Sequence, residues 1–309
     1  MHKYLRAIGF SNLVEKKQID DFFESELTES NLIASFKTED KRMVGQYEIM
    51  VAPTIGISVI AEEDKGVGNI DFYFPFARGY DNVIVEECSI ERHSDKEAYD
   101  GIIDDYRLGM AVIFYLTNVN DYNTLIKHYK DKDIKFNRVH LSALSLEGSV
   151  ILPIQNKSND NIDFEDANFN KGELQDDNFF SKPTFDVGEK NTIPIFDSMQ
   201  NSDLFYRTIV ERYKKEDLFS IVESSIVPYG IECDKYLVVA NILNVSQITN
   251  RYTNEKIYDI RVETLGIKFN IAINEKDLIG EPKAGRRFRG VVWLMGDVEF
   301  VPKDKGLIY

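Results

Sequence analysis

Cysteine is scarce in this chain: two in 309 residues, Cys88 and Cys233. Two thiols make no disulfide framework, and a reduced, cytoplasmic setting is the expectation. They also exclude the paired-cysteine spacing of a structural zinc site. Histidine is nearly as rare. His2, His93, His128 and His140 stand far apart, which limits acid–base designs. Glycine-rich phosphate loops of the P-loop or dinucleotide type are missing, and so is a Gly-x-Ser-x-Gly nucleophile elbow. The longest apolar run, Met110 to Leu116, falls well short of a membrane span. The N-terminus interleaves charges with apolar residues, unlike a signal peptide. A basic excess is missing too: 37 Lys and Arg face 52 Asp and Glu, a net charge of −15. That disfavours a general nucleic-acid coat or a binder of anionic membranes, both of which need a basic face.

What is present is ordinary globular material, 43% hydrophobic and 29% charged. A chain this long buries roughly three quarters of its unfolded surface, so it can fold without metal or cofactor, and no cofactor is expected. The length suggests about two domains. The acidity is uneven. Residues 235–309 hold 12 of the basic and 9 of the acidic residues, leaving 25 and 43 in residues 1–234.

In the N-terminal part, Lys3 to Phe10 alternates loosely and reads as a short strand. Ser11 stands where a helix cap would stand. Ile19, Phe22, Phe23 and Leu27 follow at helical spacing, which predicts an amphipathic helix over Asn12 to Leu27. The period then changes to two. Met43–Ala52, Ile55–Ala61, Asp71–Phe76 and Asn82–Ile90 read as strands of an antiparallel meander. The aromatic stretch Asp71 to Phe76 reads as sheet core, or as a stacking surface for a flat ligand. Lys96 to Tyr106 looks helical. Met110 to Leu116 reads as a buried strand. Asp121 to Lys130 is a short helix with Leu125, Ile126 and Tyr129 inward. Arg138 to Leu152 reads as two strands turning near Glu147-Gly148.

Residues 155–190 are crowded with Asn, Asp and Lys and keep no period. They read as an acidic linker, or as a docking tail that folds on a partner around Phe179 and Phe180. Helical spacing returns over Ser198 to Ile226, a connector spanning residues 191–230. Beyond it, Lys235–Val245, Tyr258–Glu263, Ile267–Ile273, Arg287–Met295 and Val298–Val301 read as five strands of an OB-like barrel. An open five-stranded sheet is the alternative. The predicted fold class is therefore α+β. A mixed antiparallel-sheet domain with flanking helices (residues 1–154) precedes a small OB-like β-barrel (residues 231–309).

Two groups of residues carry candidate chemistry. Lys283, Arg286, Arg287 and Arg289 cluster near Trp293. On a strand, Arg287, Arg289, Val291 and Trp293 share one face, able to grip a phosphate-bearing or planar ligand. The plainer reading is that this face packs on the acidic first domain through ion pairs. The second group is Glu91, His93, Glu97, Asp104 and Asp105. Mixed His and carboxylate groups can hold a divalent metal, or a carboxylate can orient His93 as a general base. The plainer reading is a polar loop capping the helix at Lys96.

Several strings in the chain resemble one bacterial family of uncharacterised proteins, the domain of unknown function numbered 3881. They are Met1 to Phe10 (MHKYLRAIGF), Glu91-Arg-His, Ile113-Phe-Tyr-Leu, Leu141-Ser-Ala-Leu-Ser with Gly148, Gly230-Ile-Glu-Cys-Asp, and Gly280 to Leu294 (GEPKAGRRFRGVVWL). The resemblance covers nearly the whole chain, with the middle linker the poorest match. It implies that the two halves form one functional unit and brings no catalytic residues with it.

The residues favour a non-catalytic binding or adaptor protein, using the basic and aromatic face of the C-terminal module. Its partner would be a protein or a small phosphate-bearing ligand; nucleic acid is disfavoured, a membrane is not expected, and self-association stays open. The alternative is an enzyme of unrecognised type built on the His and carboxylate group.

Overall fold

The structure is a computed structural model that describes residues 2–13, 15–38, 42–63, 66–84, 88–92, 98–105, 110–128, 134–153 and 223–302. The linker 155–190, with Phe179 and Phe180, lies outside the described residues, as does most of the connector 191–230. The fold is mostly β, with few helices among the described residues and a closed five-stranded barrel.

The chain opens with a 3-10 helix, Lys3–Ile8, and not with the expected strand. Tyr4, Leu5, Ala7 and Ile8 are all buried, a helical stripe that short-range alternation hides. Helix α1 (Lys16–Glu26) follows and is shorter than expected. Its cap is Glu15, in a reciprocal box with Gln18; Ser11 instead bonds Glu255 of the barrel. Ile19 and Phe23 face inward as the spacing predicts.

Strands β1 (Leu32–Lys37), β2 (Met43–Ala52), β3 (Ile55–Glu63) and β4 (Val67–Ala77) form an antiparallel meander in that order. β3 is buried over Ile55 to Ala61 because both faces of the sheet are covered there. Ile57 and Val59 join the core shared with the barrel, while Ile60 packs with Phe36 and Val44 on the other side.

A larger sheet holds the remaining strands: β5 (Asn82–Ile84), β6 (Cys88–Arg92), β7 (Tyr99–Asp105), β8 (Met110–Leu116), β9 (Ile134–Ile151), β10 (Ser225–Pro228), β11 (Lys235–Thr249), β12 (Lys256–Thr264), β13 (Ile267–Asn274), β14 (Leu278–Ile279) and β15 (Arg287–Pro302). Helix α2 (Val119–His128) links β8 to β9. β7 replaces the helix expected over Lys96 to Tyr106. Gly101 leaves the space that the Phe114 ring occupies, a close approach that belongs to a sheet. β10 takes the end of the expected connector helix.

The barrel closes through the order β11-β12-β13-β9-β15, with β15 returning to β11. Its fifth strand is therefore β9, from the N-terminal part of the chain, laid parallel to β13 and antiparallel to β15. The two strands expected at Arg287–Met295 and Val298–Val301 are one strand. Gly296 is no turn; a Cβ there would sit 2.6 Å from the Phe114 ring. The turn expected at Glu147-Gly148 is likewise absent. Gly148 lies under Phe288, where a Cβ would come within 2.5 Å of the ring. Ile242, Ile260, Phe269, Phe288, Val292 and Leu294 fill the barrel. A second core lies outside it. There Leu144, Ile257, Ala272 and Trp293 of the barrel wall meet Leu5 and Ile8 of the 3-10 helix and the β2–β4 face.

Candidate functional site

The alternation along β15 turns Phe288, Val292 and Leu294 into the barrel and Arg287, Arg289 and Trp293 outward. Outward does not mean exposed. Trp293 is 4% exposed, because the 3-10 helix lies across it. Its ring sits 4.9 Å from His2, 5.1 Å from Tyr4 and 5.2 Å from Tyr115, centroid to centroid. Its indole N–H donates to Asp234 Oδ2 at 2.5 Å. Lys235 stands opposite Trp293 in the β11–β15 register, is itself buried, and places Nζ 5.8 Å from the Tyr4 ring. Burial and the neighbouring Lys3 push its amine down to about 8, while Glu232 pairs with it at the rim.

Arg287 is buried and donates from Nε to the Leu152 carbonyl at 3.0 Å. Arg289 is half-buried, between Ser149 and Val239 of the neighbouring strands. Lys283 and Arg286 converge on Glu281, at 2.9 Å from its carboxylate and 2.7 Å from its carbonyl. The basic residues and the indole thus belong to different environments: a loop, a strand surface and a core.

Of the second group, His93 and Glu97 lie outside the described residues. Glu91 is exposed and faces Asp100 across the β6–β7 ladder. Asp104 is exposed four residues farther along β7, about 13 Å away at strand rise. Asp105 ends the strand, opposite Met110. The described members do not converge. Among the described residues no group of three or more His, Cys, Asp or Glu can hold a metal ion.

The structure holds a cavity that the sequence did not reveal. It is an open groove of about 660 Å³ between α2 and the end of β15. Asn118, Asp121 and Thr124 line it from the helix side; Asp297, Glu299 and Phe300 line it from the strand. Asn118 builds the corner. Its Nδ2 donates to the Val298 carbonyl at 2.9 Å and to Asp121 Oδ2 at 3.0 Å, and its Oδ1 accepts from Val298 N at 3.0 Å. Thr117 adds a second stitch, donating from N and Oγ1 to the Gly296 carbonyl at 2.9 and 3.0 Å. This anchoring rotates α2 from its expected orientation. Val119, Tyr122 and Asn123 are buried, Leu125 lines the groove and Ile126 is exposed. Tyr129 lies outside the described residues.

The groove is electrostatically one-sided. Asp297 reaches solvent at its mouth, yet the surrounding wall and the Asp121 carboxylate raise its pKa above the usual Asp range. Across β9, His140 faces Asp297 in register and lies 3.4 Å from Glu299. The Arg78–Glu48 ion pair, at 2.5 Å, adds opposing charges nearby. The sequence carries little signal for this site. In so acidic a chain three more carboxylates stand out in nothing, and their meeting depends on how α2 docks.

The family model described as "Domain of unknown function, E. rectale Gene description (DUF3881)" matches residues 5–296, and the chain belongs to that family. The comparisons with curated proteins and with solved structures give no match. No helix among the described residues is long and apolar enough to cross a membrane.

Proposed function

We propose that this protein is a cytoplasmic binding protein without catalytic chemistry of its own, and that its ligand seat is the groove between α2 and β15. The groove itself carries the reading. About 660 Å³ admits a small molecule, and six polar residues share the lining with Leu125, Val298 and Phe300. The Arg286–Trp293 face is a poorer seat, since its aromatic member is covered and its arginines sit in different environments. We also read the barrel as OB-like. Such barrels commonly bind across their second and third strands. Here β12 and β13 commit Ile257 and Ala272 to the second core, which favours a site elsewhere.

The test is a thermal-shift screen of a metabolite library against the full chain and two variants. Thr124→Trp, at an exposed helix position lining the groove, fills it. Arg286→Ala removes a basic group from the other face. Hits should stabilise the wild type and Arg286→Ala and fail with Thr124→Trp. Hits that survive Thr124→Trp, or a screen with no hit sensitive to it, would overturn the assignment.

A further inference from the structure

We propose that Lys3 and Lys235 form an anion site that takes the phosphate group of a small ligand, and that the Glu232 carboxylate is its resident stand-in. The site shares no residue with the groove, so it stands whether or not the groove binds. Two distant parts of the chain bring the amines together. Lys235 opens β11 and is 6% exposed, while Lys3 opens the 3-10 helix and is exposed. Their Nζ atoms lie 5.8 and 5.6 Å from the centroid of one ring, that of Tyr4, and within hydrogen-bonding reach of each other. The ring is fixed in turn, because Trp293 packs against it from β15. Like charges this close repel, and the burial of Lys235 keeps its amine from moving off into solvent.

The kind of group such a pair accepts is already seated there. Glu232 comes from the turn before β11; its side chain is 54% exposed, and its carboxylate pairs with Lys235 and not with Lys3. Backbone bonds fix that turn without help from the side chain. Tyr229 N donates to the Lys235 carbonyl at 2.8 Å, and Lys235 N to the Glu232 carbonyl at 3.4 Å. The carboxylate can therefore swing out while β11 stays in place, and an oxyanion from solution has the approach that Glu232 uses. One carboxylate leaves the pair under-compensated: burial and Lys3 still hold the Lys235 amine at about 8. A phosphate carries up to two negative charges and has oxygens on several sides, so it can meet both amines at once. The neighbouring Asp234 carboxylate is engaged by the Trp293 indole N–H, which leaves Glu232 as the group to displace.

Calorimetric titration of the full chain with inorganic phosphate and with acetate, at constant ionic strength, tests the proposal. Phosphate should bind the wild type about tenfold more tightly than acetate. Lys3→Met and Lys235→Met should each weaken phosphate several-fold. Glu232→Gln removes the competitor and should tighten it several-fold, the reverse of what a merely structural ion pair would give. Thr124→Trp, which fills the groove, should leave it unchanged. At about pH 8.5 phosphate binding should draw in protons, because the anion favours the charged Lys235 amine, and Lys235→Met should remove that uptake. Tryptophan fluorescence checks that each variant is folded, and Lys3→Met, at an exposed position, keeps the test valid if Lys235→Met is not. Phosphate binding that ignores Lys3→Met, an affinity unchanged or weakened in Glu232→Gln, equal affinity for acetate, or no binding of phosphate to the wild type would each overturn the proposal.

Discussion

The Trp293 indole N–H donates to Asp234 Oδ2 at 2.5 Å, inside an aromatic cage closed by the N-terminal segment. The bond joins β15 to the residue just before β11, and Asp234 O also accepts from Leu294 N at 2.9 Å. Trp293→Phe keeps the ring and removes the donor. It should cost about 1–3 kcal/mol in chemical denaturation, the price of a charge-assisted bond lost in a buried place. This is the chain's one tryptophan, so native fluorescence should resist quenching by iodide. Ready quenching would show that the cage is open.

Lys235 gives a pH signature. Burial and Lys3 hold its amine at about 8, below its ordinary 10.5. Between those values the unfolded chain carries a proton that the folded chain has released, so stability rises with pH across the window. Below pH 8 both states are protonated and the penalty is fully present. The gain from pH 8 to 9.5 should be on the order of 1 kcal/mol, and Lys235→Met should flatten it. An unchanged slope in the variant would mean that Glu232 keeps the ammonium charged in the folded protein.

Glu255 gives the opposite signature. Burial alone would raise its pKa, but hydrogen bonds from Lys276, Ser11 and Asn274 outweigh burial and lower it. The folded protein keeps this carboxylate charged at pH values where the unfolded chain binds a proton. Its contribution is present at neutral pH and fades as pH falls through the lowered folded value. Glu255→Gln should reduce stability at pH 7 by about 1–3 kcal/mol, with the difference from wild type shrinking at pH 3. A difference that stays constant across that range would sink the assignment.

Gly148 should tolerate no side chain. Its absent Cβ is the space that the Phe288 ring uses, 2.5 Å away, and Ile273 would lie 3.1 Å away. Gly148→Val should destabilise by about 1–3 kcal/mol through overpacking, and Phe288→Leu in the same chain should recover part of that. Purely additive losses in the double variant would show that the ring is not the obstacle.

β2 and β13 came out of the sequence nearly to the residue, because apolar alternation and the Pro53 and Leu265-Gly266 turns mark their ends. Phe288, Val292 and Leu294 were separable from Trp293 by the same alternation. Two glycines that serve close approach misled the reading, while Gly45 and Gly290, which also serve it, fell inside strands that were read as strands. A turn was read near Gly148 and a strand break between Met295 and Val298, yet Gly148 and Gly296 are points of close approach to Phe288 and Phe114 within continuous strands. Cover was illegible as well. Nothing local to Trp293 announces that the Tyr4 ring, nearly three hundred residues earlier, will pack against it. The groove depends on the docking of α2 through Asn118, a contact to Val298 that no periodicity encodes.

The barrel's dependence on β9 yields the most decisive expectation. β9 pairs with β13 from Ser142 to Ser145 and with β15 along nearly its whole length. Remove it, and β13 and β15 are left with open edges while Ile271, Ile273, Phe288 and Leu294 lose one wall of their core. Residues 231–309 expressed alone should therefore fail to unfold cooperatively and should bind hydrophobic dyes. A peptide of residues 134–152 added in trans should restore a cooperative transition, because it supplies two ladders and the Leu141 and Ala143 side chains of the interior. Scrambling the peptide or carrying Gly148→Val within it should abolish the rescue. Cooperative unfolding of residues 231–309 alone, at the stability of the full chain, would show instead that the C-terminal strands close a barrel by themselves and that β9 docks on a finished module.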